Sequence, residues 1–167
     1  MSADATVDIR RVLVPVWIVT AVWDGICASL LSILAYGTSF SALWRGVASA
    51  LPGGATFEGN TGVVVGLALH VAVALTWSAV FVMALVFVPR LRNAVRTSGG
   101  ALAIATAYGP LIWLAMSLVV IPLATGRPPR IGGARWWVQI VAHIPFVTLP
   151  LVFTARRMLE RLDRSGS

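Results

Sequence analysis

Residues 62–88 read GVVVGLALHVAVALTWSAVFVMALVFV, and this stretch decides the fold. Its 27 residues include no Asp, Glu, Lys or Arg, and His70 is its one strongly polar side chain. An apolar run of about 18 or more residues without charge is typical of a transmembrane helix. At about 1.5 Å per residue, the stretch reaches about 40 Å and crosses a bilayer core of about 30 Å with some tilt. We therefore expect a transmembrane helix at this position.

The composition of the whole chain agrees with a membrane environment. Of its 167 residues, 58% are hydrophobic and 11% are charged, and the mean hydropathy is +0.87. Soluble domains carry about 25% charged residues, so this chain has too few charges to cover itself with a solvated surface. Its single cysteine, Cys27, excludes an intrachain disulfide and any cysteine-based metal motif.

The charge is strongly basic, at +7, and all 13 basic residues are arginines. In a soluble protein such a balance would suggest nucleic acid as a partner. Here the arginines flank apolar runs, where they act as topology signals and contact anionic lipid head groups. We therefore expect the lipid bilayer, and no nucleic acid, as a partner. The use of Arg in place of Lys, with abundant Ala, Gly and Val, favours a GC-rich bacterial genome.

Three further apolar runs lie outward from the first. The four predicted spans are 12–36, 62–88, 101–124 and 136–154. Between the first two, residues 40–51 are amphipathic and predict a short helix in the outer interface, with Trp44 at head-group level. Pro52, Gly53 and Gly54 are expected to end it. The predicted fold is all-α, a four-helix transmembrane bundle with a short interfacial helix between spans one and two.

The arginines also predict the topology of a single transmembrane domain at 12–155, with cytoplasmic tails at 1–11 and 156–167. With the N-terminus inside, nine arginines lie on the inner side: Arg10, Arg11, Arg90, Arg92, Arg96, Arg156, Arg157, Arg161 and Arg164. Four lie on the outer side: Arg45, Arg127, Arg130 and Arg135. The positive-inside rule then places both termini in the cytoplasm of a bacterium, with the domain in its inner membrane.

A few polar side chains in the spans are the candidates for chemistry. They are Asp24, His70, His143, Gln139 and Tyr108. Asp24 lies near the middle of the first span, and both histidines lie roughly 5 Å to the outer side of the midplane at about 1.5 Å per residue. A carboxylate at bilayer depth must be paired or neutralised, so Asp24 is expected to face the bundle interior and one of the histidines. We predict a buried polar cluster with a functional or a structural role.

Small residues on the second span predict close helix packing. Gly62 and Gly66 are one turn apart, and Gly66, Ala74 and Ser78 share a face with His70. Such small-residue patterns let helices approach closely in membranes. Cys27, one turn from Asp24, is interpreted as a small packing residue.

The cluster admits several interpretations. Asp24 and a histidine either make an interhelical hydrogen bond that fixes packing or hold a proton in a relay. Two histidines on two helices at similar depth meet the minimum requirement for a b-type haem, although nothing else supports one. A zinc site would want three or four ligands, and these residues offer at most three, so no metal is predicted. The chain has no nucleophile motif of a hydrolase, no P-loop and no dinucleotide fingerprint, so no catalytic residue is predicted.

Several segments together carry a resemblance. They are Trp23-Asp24-Gly25, RGVASALPGGATFEGNTGVVVGLALH from Arg45 to His70, VIPLA near the end of the third span, and His143. The order of these features over residues 20–157 resembles a family of uncharacterised small bacterial integral membrane proteins with four predicted helices. The resemblance implies the same fold and carries no established activity. Pro145 and Pro150 depart from an uninterrupted fourth helix.

These observations favour a non-enzymatic integral membrane protein that acts through helix packing or association with a partner. The alternative is a small proton-coupled transporter or carrier that uses Asp24 with His70 or His143. Because four helices are few for a transport path, the alternative requires a homo-oligomer or a membrane protein partner. A weaker alternative is an electron-transfer subunit with a b-type haem; otherwise no cofactor is expected.

Overall fold

The structure is a computed structural model that describes residues 9–51, 53, 56–129 and 131–165. It is 88% helical, and its described residues contain no strand. The helices are α1 (Ile9–Tyr36), α2 (Phe40–Ala48), α3 (Gly59–Phe87), α4 (Pro89–Val95), α5 (Ser98–Thr125) and α6 (Ala134–Ser165). The predicted all-α class is confirmed.

Four of these helices, α1, α3, α5 and α6, are long and apolar enough to cross a membrane. In their most apolar windows only 17% to 28% of the residues are buried inside the protein. The remaining apolar surface faces outward, which is stable only against lipid. The predicted four-helix bundle is confirmed, and the chain is a multi-pass membrane protein.

The helices begin slightly earlier than the apolar runs predicted. The starts at Ile9, Gly59, Ser98 and Ala134 precede the predicted ones by two or three residues. At α5 the reason is a cap: the Thr97 hydroxyl accepts a hydrogen bond of 3.0 Å from the Gly100 amide. Hydropathy cannot detect such capping residues, because they are polar.

The end of α6 differs most from the sequence prediction. Residues 156–165, predicted as part of a soluble tail, continue the helix. Leu159 is 2% exposed, and Asp163 pairs with Arg96 at 2.9 Å. The Arg156 guanidinium also donates to the Ser98 hydroxyl at 2.7 Å. The last turns of α6 are therefore fixed to the start of α5 and the segment before it.

A dry core fills one end of the bundle, which we call the core end; α1 begins and α6 ends there. Its fully packed members are Val12, Val16, Phe81, Val82, Leu85, Val95, Ala101, Ala105, Leu151, Val152, Ala155 and Leu159. Val95 belongs to α4, a helix that begins with Pro89 where the sequence predicted only a basic linker. We call the opposite end, where α1 ends and α3 begins, the α2 end.

The long helices pack in a ring. α1 contacts α3 and α6, and α5 contacts α6. Between α5 and α3, the Tyr108 hydroxyl donates to the Trp77 carbonyl at 2.9 Å, and its ring lies 5.3 Å from that of Phe81. Tyr108 therefore connects two spans and lies away from the polar cluster described below.

The short helix α2 lies between spans one and two, as predicted, and packs against the bundle. Trp44, expected at head-group level, is 2% exposed, because α2 packs along the side of α3. A Cβ added at Gly66 would collide with the Trp44 carbonyl, and one at Gly62 would lie 2.5 Å from the Phe57 carbonyl. The two glycines thus accept α2 and its flanking loop, not another span. Pro52 and Gly54, predicted to end this helix, lie outside the described residues.

Two π-helical turns interrupt the spans, at Met116–Val120 in α5 and at Ile144–Thr148 in α6. The turn in α5 precedes Pro122, and the turn in α6 contains Pro145. Proline has no backbone N–H, so each of the two removes a helical hydrogen bond. At the second turn the Thr148 hydroxyl donates to the Ala105 carbonyl of α5 at 2.6 Å. The departure expected from Pro145 is therefore a local widening of α6, held against α5.

We expect the substitution Thr148→Val to lower the free energy of unfolding by about 1 kcal/mol, since it removes this buried interhelical hydrogen bond at nearly constant volume. Chemical unfolding in detergent micelles measures the effect. Thr106→Val is the matched control, because the exposed Thr106 hydroxyl donates within its own helix to the Leu102 carbonyl at 2.9 Å. Equal losses in the two variants would contradict the prediction.

Candidate functional site

Asp24 is the acid of α1 that lies within the bundle, and its nearest ionisable neighbour comes from α3. The Asp24 Oδ2 atom lies 3.8 Å from Nδ1 of His70. The His70 side chain is 14% exposed and that of Asp24 is 29% exposed. The distance exceeds hydrogen-bond range, and a protonated imidazole here would attract the carboxylate by its charge.

The orientation of His70 is fixed from two sides. Its Nε2 atom lies 3.0 Å from the Ala21 carbonyl, and its ring lies edge-on to Trp44 with centroids 5.1 Å apart. Gly25 makes room for the ring, because a Cβ there would lie 3.3 Å from Nε2. A carbonyl only accepts, so Nε2 carries hydrogen and Nδ1 is the nitrogen left to gain or lose a proton. That nitrogen is the one nearest Asp24.

His143 on α6 is held in a similar way. Its Nδ1 atom lies 2.7 Å from the Gln139 carbonyl, and the ring of Trp113 lies 5.2 Å away, between centroids. Nδ1 therefore donates, and Nε2 is left to titrate. His143 is the last residue before the π-helical turn of α6.

A small cavity between α1 and α6 joins Asp24 to this second histidine. Asp24, Gln139 and His143 line its polar part, and Leu31, Phe146 and Val147 contribute apolar wall. Its volume is about 20 Å³. Asp24 thus lies between two imidazoles, 3.8 Å from His70 and across a cavity from His143.

Three side chains that can each bind a proton lie near one another here. The Asp24 carboxylate lies 3.8 Å from Nδ1 of His70 and lines the same cavity as His143. Among the residues that the structure describes, none donates a hydrogen bond to the Asp24 carboxylate. A carboxylate at this depth without protein donors is stabilised by taking up a proton or by a protonated neighbour.

The structure brings four of the predicted site residues together: Asp24, His70, His143 and Gln139. Tyr108 lies elsewhere, against Trp77, and Gly62 and Gly66 lie under α2 and its loop.

Two indoles, those of Trp44 and Trp113, lie beside the histidines and were not predicted there. The sequence could have indicated burial of Trp44, since an amphipathic segment with an aromatic on its apolar face also suits burial. It could not indicate burial of Trp113, because a tryptophan that faces protein and one that faces lipid look the same in an apolar span.

No group of three or more His, Cys, Asp or Glu side chains in the described part of the chain is placed to hold a metal ion. A bis-histidine haem would need both rings to face one slot, whereas Asp24 lies between them. Small-molecule pockets measure about 300–1,000 Å³, far more than the 20 Å³ cavity.

Comparison with known proteins returns no match for this chain among protein-family models, curated proteins or solved structures.

Proposed function

We propose that the protein is a small, non-enzymatic, proton-coupled membrane carrier whose proton-binding site is formed by Asp24, His70 and His143. One observation carries the proposal: the Asp24 carboxylate lies 3.8 Å from Nδ1 of His70. A purely structural carboxylate is expected to accept hydrogen bonds, as buried polar groups generally do. The packing interpretation is therefore less well supported at this site.

The proposed orientation places the core end in the cytoplasm of a bacterium. Nine arginines lie at the core end or in the segments leading to it, and Arg45, Arg127 and Arg135 lie at the α2 end. This bias supports a bacterial inner membrane with both termini inside. The cluster lies in the half of the bundle nearer α2, so the dry core separates it from the proposed cytoplasmic side.

Four helices enclose little space for a transported solute. The cavity beside Asp24 holds about 20 Å³, room for about one water molecule. We therefore propose that the carrier works as a homo-oligomer or with a partner membrane protein, whose helices would complete the path. Mass measurement of the purified protein in lipid nanodiscs tests whether copies associate.

Infrared spectroscopy of the protein in lipid tests the proton-binding site directly. We expect the carbonyl stretch of a protonated carboxyl group to change between about pH 5 and pH 8, the range in which an unperturbed imidazole changes its charge. Asp24→Asn should remove this change. Asp163→Asn should keep it, because Asp163 pairs with Arg96 at the core end.

The outcomes separate the proposal from its alternative. If the wild-type protein shows no Asp24-dependent change over this range, the cluster does not bind protons reversibly and the packing interpretation stands. If the change survives in folded Asp24→Asn, the responding group is another carboxyl and the proposed site is wrong.

A further inference from the structure

The cavity between α1 and α6 carries an inference that deepens the proposed function and rests on it. We propose that a water molecule binds there and bridges Asp24 to His143, so that the acid and this histidine form a relay. The order of groups is Asp24, water, His143.

The size of the cavity suits one water molecule. A buried water molecule needs a cavity volume of about 10–15 Å³ and 2–4 polar partners. The cavity measures about 20 Å³, and the polar residues Asp24, Gln139 and His143 are among those that line it. Apolar side chains form the rest of the wall, so the polar partners fix the position of the water.

The hydrogen-bonding capacity of the lining groups fits a bridging water. The Asp24 carboxylate receives no hydrogen bond from the described residues, so a water O–H is the donor that it lacks. Since Nδ1 of His143 donates to the Gln139 carbonyl, its neutral ring offers Nε2 as an acceptor. A water between the two groups donates to both.

The relay moves one proton with full balance. When Asp24 carries the proton, its O–H bond breaks as a new O–H forms on the water. At the same time another O–H of the water breaks and an N–H forms at Nε2 of His143. Asp24 ends as a carboxylate, His143 as an imidazolium, and the water is regenerated. The imidazolium lies beside the Trp113 ring, with centroids 5.2 Å apart, and an aromatic ring within about 6 Å can favour a cation.

The titratable groups around Asp24 come from each packed helix. They are His70 on α3, His143 on α6 and Cys27 on α1 itself. From α2, the uncharged ring of Trp44 covers His70. The two histidines are the only ones in the chain, which keeps the spectra simple.

An isotope experiment tests the bridging water. In the low-minus-high pH infrared difference spectrum of the wild-type protein, we expect an O–H stretch that shifts when H2O is replaced by H2 18O. Ala28→Leu places a larger side chain in the cavity wall and should remove this shifted band, while the Asp24 carboxyl change remains. Ala35→Leu, two turns along the exposed side of α1, should retain both.

The outcomes distinguish this inference from the proposed function. A wild-type Asp24 signal without any 18O-sensitive band would overturn the bridging water and leave the proton-binding site standing. If the wild-type protein shows no pH-dependent change of the Asp24 carboxyl band, the proposed function itself is overturned. If Ala28→Leu does not fold, the smaller Ala142→Val fills the cavity from α6, and the wild-type isotope shift remains decisive.

Discussion

Gly66→Ala is expected to lower the free energy of unfolding by about 2–3 kcal/mol, because the added methyl group collides with the main chain of α2. The atom it meets is the Trp44 carbonyl, which belongs to a helix backbone and cannot turn aside as a side chain would. Either α2 shifts as a unit or α3 bends away from it. Both responses withdraw the Trp44 ring from His70, which it now contacts at 5.1 Å between centroids.

Denaturant unfolding in detergent micelles measures this loss, and Gly46→Ala is its control. Gly46 lies on α2, the short helix that packs against Gly66, and a Cβ added at Gly46 meets no atom within 4 Å. Alanine is favoured over glycine inside a helix by about 1 kcal/mol, so the control should be neutral or stabilising. A Gly66→Ala protein as stable as the wild type would mean that α2 does not pack against Gly66.

The four spans could be predicted because hydrophobicity over about 20 residues has few alternative explanations. The charge-free run at 62–88 became α3 at Gly59–Phe87. Helix rise alone also placed His70 and His143 at the depth of Asp24, which made a common cluster foreseeable. Depth does not determine rotation about the helix axis, however, so which histidine meets the acid could not be derived.

The packing of α2 could not be derived for a different reason. An apolar face at 40–51 must be covered, but the pattern is the same whether lipid or protein covers it. Likewise, Gly62 and Gly66 indicate that some backbone approaches closely, without indicating which one. The choice is made by the short connection from α1, which brings α2 beside α3.

The two halves of the bundle contain different kinds of side chain. The core end packs aliphatic residues from all the long helices and contains the hydrogen bond from Thr148 to α5. The other half places titratable groups around a cavity, and a short helix covers His70. A bundle that served only as a packed scaffold would gain stability by filling that cavity with apolar side chains. The proposed proton-binding role would give a use to a carboxylate and two imidazoles at this place.

His70→Ala is expected to lower the free energy of unfolding by about 3 kcal/mol, because it leaves Asp24 at bilayer depth without its nearest partner. The loss should be smaller in an Asp24→Asn background, where no charge remains to be paired. A double-mutant cycle then yields a coupling energy of about 1–2 kcal/mol. Thr76→Ala on the exposed side of α3 is the control, and its effect should add to that of Asp24→Asn within about 0.5 kcal/mol.

The pH dependence of that coupling decides between the two roles of the pair. If Asp24 and His70 exchange protons with the surroundings, their attraction depends on how many protons they hold, so the coupling changes between about pH 5 and pH 8. If the pair does not change its protonation between these pH values, the coupling stays level over the same range. Unfolding measurements on the four proteins of the cycle at both pH values provide the comparison. A level coupling energy, together with an additive Thr76→Ala control, would rule out the proton-binding role.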